Sequence, residues 1–220
     1  MQVTRKYSLI VFDWDGTLMD STVGITIAIQ EAARDLGLPV PDRERASHVI
    51  GMGLEDALHG AVPDLPPDRY PAYVEAYRRH FRARQDAMEL FPGVREMLEE
   101  LKAGGRRLAV ATGKSRRGLE HQFGLTGLGE LFAASRCADE TKPKPHPAML
   151  LELMDELAVQ RHELLMIGDT SHDLGMAQSA GVDAIAVGYG AHTIESLSAW
   201  NPRASVSSVA ELRQWLAKNA

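Results

Sequence analysis

The sequence is short of several things, and each shortage removes a class of protein from consideration. Cysteine is nearly absent: Cys137 is the single one in 220 residues. No internal disulfide can form, so a reducing, cytoplasmic setting is expected. Cys137 itself reads as a small core residue rather than a nucleophile. No apolar run approaches the roughly 18 residues that a membrane span requires, so no membrane partner is expected. The first six residues lead into an expected strand, so no secretory signal is expected. Basic charge is in deficit, with 24 Lys and Arg against 30 Asp and Glu and a formal net charge of −6. Arg78, Arg79, Arg82 and Arg84 do not offset this, because they fall on one presumed helix among acids. A nucleic-acid partner is therefore not expected.

What is present is organised around Leu9-Ile10-Val11-Phe12-Asp13-Trp14-Asp15-Gly16-Thr17. Four apolar residues suit a buried parallel strand. Two carboxylates and a glycine then end it and turn the backbone sharply. Helical texture follows, with an apolar face of Ile25, Ala28, Ile29, Ala32, Ala33 and Leu36 before the stop Gly37-Leu38-Pro39. Short helices begin at Asp42 and Leu54, and a long one begins at Asp68. No strand is evident from Thr22 to Ala87, which reads as an all-helical insert of about 65 residues.

From there strand and helix alternate. Apolar strands are expected at Leu108–Thr112, Leu131–Ala134, Leu164–Asp169 and Ala184–Gly188. Helices are expected at Val94–Lys102, Arg116–Phe123, Ala148–Leu157, Asp173–Ala180 and Val209–Ala217. Repeated β-then-α units imply an α/β fold with a doubly wound parallel sheet covered on both faces. The sheet portion is then discontinuous, 1–18 and 88–220, with the all-helical portion, 19–87, inserted between.

Four features fall at the carboxyl edge of that sheet, where open α/β sheets bind ligands. They are Asp13-Trp14-Asp15-Gly16-Thr17, Ala111-Thr112-Gly113-Lys114, Lys142-Pro143-Lys144-Pro145-His146-Pro147 and Gly168-Asp169-Thr170-Ser171-His172-Asp173. Carboxylates suit a hard cation such as Mg²⁺. A threonine, free backbone N–H groups and a lysine suit phosphate. A site combining the two reads as phosphoryl transfer.

In this order the four features resemble the haloacid dehalogenase superfamily over essentially the whole chain, and within it the phosphoglycolate-phosphatase and β-phosphoglucomutase branch. The resemblance implies a Rossmann-like core with the insert as a small helical cap. It implies a Mg²⁺-dependent phosphatase that acts on a small phosphorylated metabolite through an aspartyl phosphate. Phosphoglycolate leads among substrates, with sugar phosphates and nucleotides left open. Asp13 matches the nucleophile, because an ionised carboxylate attacks phosphorus without first losing a proton. Asp15 matches the general acid and base, with its backbone carbonyl on the metal. Asp169 matches the second metal carboxylate, and Asp173 would act on the metal through water or by orienting other ligands. Thr112 and the N–H of Gly113 would hold phosphoryl oxygens, and Lys144 would neutralise charge between Asp13 and the phosphate. Lys142 also precedes a proline and stays open as the alternative; the Lys-Pro-His-Pro-Ala spacing favours Lys144, and Lys142 would then be a solvated loop lysine. Trp14 departs from the smaller residue usual there.

A phosphomutase of the same fold would keep every motif and return the phosphate to a bound sugar. A receiver-like or silent binding module would need neither Asp15 nor a cap. Outside the motifs, Lys114 reads as a solvated residue opening a helix, with a phosphate role as the lesser alternative. His172 is a candidate for the mouth of the site. His48, His59, His121, His146, His172 and His192 form no metal-ligand spacing. Tyr70, Tyr73 and Tyr77 share a helical face and read mostly as core of the insert. Substrate contacts are expected from Gly51 in the loop His48–Gly53 and from Arg45, beside Arg43; an inter-helix turn with two solvated arginines stays open as the alternative. Gly188-Tyr189-Gly190 is expected at the entrance.

Overall fold

A computed structural model describes residues 7–220, so the expectation that no leader precedes the first strand lies outside the described residues. Six parallel strands form one sheet: β1 Leu9–Phe12, β2 Arg107–Thr112, β3 Ala134–Cys137, β4 Leu164–Gly168, β5 Asp183–Val187 and β6 Ala204–Val206. Their order is β3-β2-β1-β4-β5-β6. The first strand in sequence is thus interior, and the chain winds outward from it in both directions. Phe12 is in register with Val110 of β2 and with Ile167 of β4, so β2 runs two residues and β4 one residue past the end of β1.

Both sheet faces are covered, and for that reason β1 and β4 are apolar at every position rather than at alternate ones. Ile10, Phe12, Leu108 and Val110 pack on α5 (Val94–Ala103), α6 (Arg116–Thr126) and α10 (Val209–Asn219) through Met97, Leu98, Leu119 and Leu212. Leu9, Val11, Ala109 and Met166 pack on α7 (Ala148–Glu156) and α8 (Ser171–Ala180) through Met149, Leu153, Leu174 and Met176.

The stretch between β1 and α5 is helical, with α1 (Thr22–Asp35), α2 (Arg43–His48), α3 (Leu54–Ala61) and α4 (Tyr70–Gln85). These helices bury a cluster of their own: Ile25, Ile29, Ala32 and Ala33 of α1 meet Tyr73 and Val74 of α4 and Leu58 of α3. Asp42 caps α2 by accepting from the Arg45 N–H at 2.8 Å, as a helix-opening aspartate should.

The edges of the sheet depart from the sequence reading. The third strand is Ala134–Cys137, not Leu131–Ala134. Leu131 closes a short 3₁₀ turn and packs with Phe132 against the core, where Phe132 meets the Trp14 ring edge-on. The true strand carries Arg136, tied outward to Glu152 and Glu156 at 2.7 Å each. The edge strand β6 and the short α9 (Ile194–Ser198) also gave no apolar run to read. Among the described residues no helix is long and apolar enough to cross a membrane.

Candidate active site

The order β2-β1-β4 makes β1 the topological switch point, and the site lies off its carboxyl end. Asp13 is the first residue past β1, and its N–H still donates to the Ile167 carbonyl at 2.9 Å, which anchors it to β4. Thr112 ends β2, and Asp169 is the first residue past β4. All three are fully buried.

Asp13, Asp169 and Asp173 bring one carboxylate oxygen each within 4.8 Å of one another. The buried Lys144 ammonium bridges two of them, donating to Asp13 Oδ1 and Asp173 Oδ1 at 2.6 Å each. Asp173 Oδ2 accepts from the N–H and the hydroxyl of Thr170, at 3.1 and 2.7 Å, in the capping box that opens α8. Asp169 accepts from the Thr17 hydroxyl at 2.9 Å and from the Ala191 N–H at 2.7 Å. Asp13 Oδ2 is different: it is buried and has no hydrogen-bond partner among the described residues.

Burial governs the electrostatics. It pushes the Asp13 carboxyl well above the usual carboxylate range, Asp173 and Asp169 push further, and Lys144 opposes them. Burial, then Asp173, raises Asp169 to about 7, against the Ala191 and Thr17 hydrogen bonds. For Lys144, burial works downward, but Asp13 and Asp173 outweigh it and hold the ammonium charged. Three carboxylates crowd together with one lysine that reaches only two of them, and an orphaned buried oxygen cannot stay so at little cost. A hard divalent cation with oxygen ligands fits this set. Asp173 has both oxygens engaged, Oδ1 with Lys144 and Oδ2 with Thr170.

Small residues make room for this packing. Gly16 lies at φ +82°, and a Cβ there would sit 2.1 Å from Asp169 Oδ2. A Cβ on Gly190 would sit 2.2 Å from the same oxygen, and one on Gly168 would sit 2.3 Å from the Asp173 side chain. Gly188-Tyr189-Gly190 lies partly exposed. It backs Asp169, and the Tyr189 hydroxyl donates to the Thr17 carbonyl at 3.2 Å.

Asp15 stands apart from the acid cluster. Its Oδ1 accepts from the Ser21 hydroxyl at 2.7 Å, and its Oδ2 lies 3.0 Å from Lys114 Nζ. Lys114 is thus not solvated: its side chain is 9% exposed, and its ammonium lies 4.9 Å from the Phe81 ring centroid. The Lys114 N–H donates to the Thr112 hydroxyl at 3.2 Å. Between the two acids Trp14 turns into the core, edge-on to Phe123 at 5.4 Å, so its bulk stays clear of both carboxylates.

The helical insert closes over these residues. A Cβ on Gly113 would meet the Met52 carbonyl at 2.3 Å and the Gly51 carbonyl at 2.6 Å. Gly51 itself lies at φ +89° against Thr170. The His48 carbonyl accepts from His172 Nε2 at 2.9 Å and from His192 Nε2 at 3.1 Å. His192 Nδ1 accepts from the Ser171 N–H, which leaves the proton on Nε2. Burial lowers His192 to about 4 and lowers His172 too, so both rings are neutral donors. The His48 and His192 rings stack 4.6 Å apart. These histidines are 124 and 144 residues from His48 in sequence, a meeting that no local spacing announces.

Beneath the insert is a cavity of about 870 Å³ that reaches Asp15 and Gly113. Gly51 lines it, whereas Arg43 and Arg45 are exposed and are not among its lining residues. Tyr73 is core, with its hydroxyl on the Ile29 carbonyl, but Tyr70 and Tyr77 line the cavity. Lys142 is exposed, while Lys144 is inside the acid cluster. Ser21, Thr17 and Thr170 escaped the sequence reading as partners of Asp15, Asp169 and Asp173. Single hydroxyl residues in loops carry no pattern; the Thr-x-x-Asp capping box was the one available signal.

A family model described as "Haloacid dehalogenase-like hydrolase" matches residues 10–187. A Dickeya dadantii protein named "Probable phosphatase IndB" is 40% identical over 210 residues, covering 93% of this chain and 91% of that protein. A "Phosphoglycolate phosphatase" of Chromobacterium violaceum is 35% identical over 220 residues, covering 94% and 96%. The crystal structure of "a predicted phosphoglycolate phosphatase" from Haemophilus somnus superposes with a TM-score of 0.86 at 26% identity, covering 96% and 98%.

Proposed function

The chain belongs to the haloacid dehalogenase-like hydrolases and is a phosphoric monoester hydrolase, and on that premise we propose that it moves the phosphoryl group of a small phosphorylated metabolite first to Asp13 and then to water, with Mg²⁺ as its metal. In the same reading, residues 19–87 are the cap of a core made from 1–18 and 88–220, and the enzyme works in the cytoplasm. The observation that carries the mechanism is Asp13 Oδ2, a buried carboxylate oxygen without a partner beside two further acids and a lysine.

Lys144 holds the Asp13 carboxylate in place through Oδ1, and one carboxylate oxygen of Asp13 forms the bond to phosphorus. The Thr112 hydroxyl and the Gly113 N–H, at the end of β2, receive the non-bridging oxygens. As the ester bond breaks, its electron pair leaves with the alcohol oxygen, and Asp15 gives that oxygen a proton. Asp15 then takes a proton from water, which attacks the phosphorus of the aspartyl phosphate and returns Asp13 as a carboxylate. Ser21 and Lys114 grip both Asp15 oxygens, so the proton carrier is fixed in orientation. Asp13, Asp169 and the Asp15 backbone carbonyl would hold Mg²⁺, which when bound supplies positive charge to the carboxylates and the phosphoryl oxygens.

Phosphoglycolate is the first substrate to try, because it stands in the name of the Chromobacterium relative. Inorganic phosphate release from a panel of phosphorylated metabolites with Mg²⁺ tests the reaction. Asp13→Asn is expected to lower kcat by about a thousandfold or more while the circular dichroism spectrum is kept. Turnover retained with Asn at 13 would remove the nucleophile assignment. Isomerisation of a sugar phosphate without phosphate release would turn the reading to a phosphomutase.

A further inference from the structure

We propose that the natural substrate is a phosphate monoester with a bulky, ring-bearing leaving group, which the cavity beneath the insert selects over small hydrophilic groups such as glycolate. The proposal rests on the phosphatase reading above and names the substrate class of that same site.

Size is the first argument. The cavity is about 870 Å³, well inside the roughly 300–1,000 Å³ range of pockets that bury drug-sized ligands. The glycolate part of phosphoglycolate would leave most of it filled with water. The volume does not come from an insert standing away from the sheet. Gly113 meets the Met52 and Gly51 carbonyls, Gly51 meets Thr170, and Gly53 meets Pro143. The insert is seated on the strand ends, and the space remains.

The walls are the second argument. Helix α4 presents Tyr70, Val74, Tyr77 and Phe81 to the cavity, spaced four, three and four residues apart, which is one stripe of a helix. Ile25 and Ile29 of α1 line the cavity as well. The Tyr77 and Phe81 rings lie nearly parallel, 17° apart with centroids 5.8 Å apart. An apolar stripe that is left half-buried against solvent is stabilised by a ligand that covers it.

Direction is the third argument. The leaving oxygen must come within reach of Asp15, the proton donor. Asp15 lines this cavity, and Lys114, 3.0 Å from Asp15, sits over Phe81. Whatever is attached to the leaving oxygen therefore extends along the aromatic stripe. Arg78, Arg82 and Arg117 also line the cavity, but Lys114, the cation beside Asp15, is already paired, and the Phe81 ring lies against it.

The test compares 1-naphthylmethyl phosphate with ethyl phosphate and phosphoglycolate, all esters of alcohols. With Mg²⁺ and wild-type enzyme, kcat/KM for the naphthylmethyl ester is expected to be at least about tenfold above both others, given the gain per extra carbon in an apolar pocket. A small ester hydrolysed equally well or better overturns the proposal. Phe81→Ala, and Phe81→Leu as the variant that keeps apolar bulk, are each expected to lower the ratio of bulky to small kcat/KM at least about fivefold. A ratio unchanged in the folded variants overturns it. Calorimetric binding of 1-naphthylmethylphosphonate against methylphosphonate to wild-type protein separates the two readings. If no monoester is turned over, the phosphatase reading fails, and the ratio of Kd values still decides this one. Tenfold tighter binding of the bulky phosphonate supports it, and equal binding overturns it.

Discussion

Lys144 is the residue on which the acid cluster depends. It is the cation that bridges Asp13 and Asp173, and it is almost completely buried with them. Removing one partner of a buried ion pair leaves the other charge uncompensated, which costs about 3–5 kcal/mol. Lys144→Ala is expected to destabilise the fold by about that much and to lower kcat/KM by about 10²–10³-fold. Lys142→Ala, on the exposed side of the same proline loop, should leave stability within about 0.5 kcal/mol. Chemical denaturation and steady-state kinetics of the two variants check this, and a larger loss at 142 would reverse the assignment. The Lys-Pro-His-Pro-Ala spacing singled out in the sequence the lysine that the structure buries among the acids. The ties of Ser21 to Asp15 and Thr170 to Asp173 were not legible there, because a hydroxyl finds its acceptor only after the loops are packed.

At the scale of elements, the interior strands were legible and the edges were not. β1 and β4 are apolar throughout because helices cover both faces, and a run of apolar residues is readable without a period. β3 is an edge strand with Arg136 facing acids, so the eye falls on Leu131 and Phe132, which are core residues in a turn. The contact between insert and sheet is likewise an element property. Loop 49–53 rests with its carbonyls against Gly113, and an added methyl there would meet backbone rather than a yielding side chain. Gly113→Ala is therefore expected to lift this loop. Amide exchange at 49–53 should quicken, and kcat/KM should fall by about tenfold or more, as for small misplacements at other sites. Unchanged exchange with a fold kept intact would show that the loop does not rely on that contact.

At the scale of the whole molecule, the buried acids tie stability to pH and to metal. An acid whose folded pKa is raised keeps its proton where the unfolded chain has lost it. Its contribution to stability thus falls as pH rises from near 4 through the Asp169 value of about 7. Asp13 acts in the same direction. His192 and His172 act oppositely, because their folded values are lowered and stability rises as pH climbs toward 6.5. The increment in Tm on replacing EDTA with Mg²⁺ isolates the acids, since a cation binds the deprotonated cluster. That increment is expected to be small at pH 5.5 and clearly larger at pH 8, measured by scanning calorimetry. An increment independent of pH would place the metal elsewhere.

The sequence by itself determined the alternation of strand and helix, the helical insert, and the four strand-end motifs that place Asp13, Thr112, Lys144 and Asp169 at one edge. It could do so because burial on two faces and turns at strand ends are written in neighbouring residues. Tertiary structure alone decided which partner each acid finds. It turned Lys114 from a solvated residue into the partner of Asp15 and split Tyr73 from Tyr70 and Tyr77. It also brought His172 and His192 onto the His48 carbonyl, and it set the volume beneath the insert. Each of these depends on the distance between side chains far apart in sequence. That distance is fixed by how the insert seats on the sheet, and no local pattern of residues encodes it.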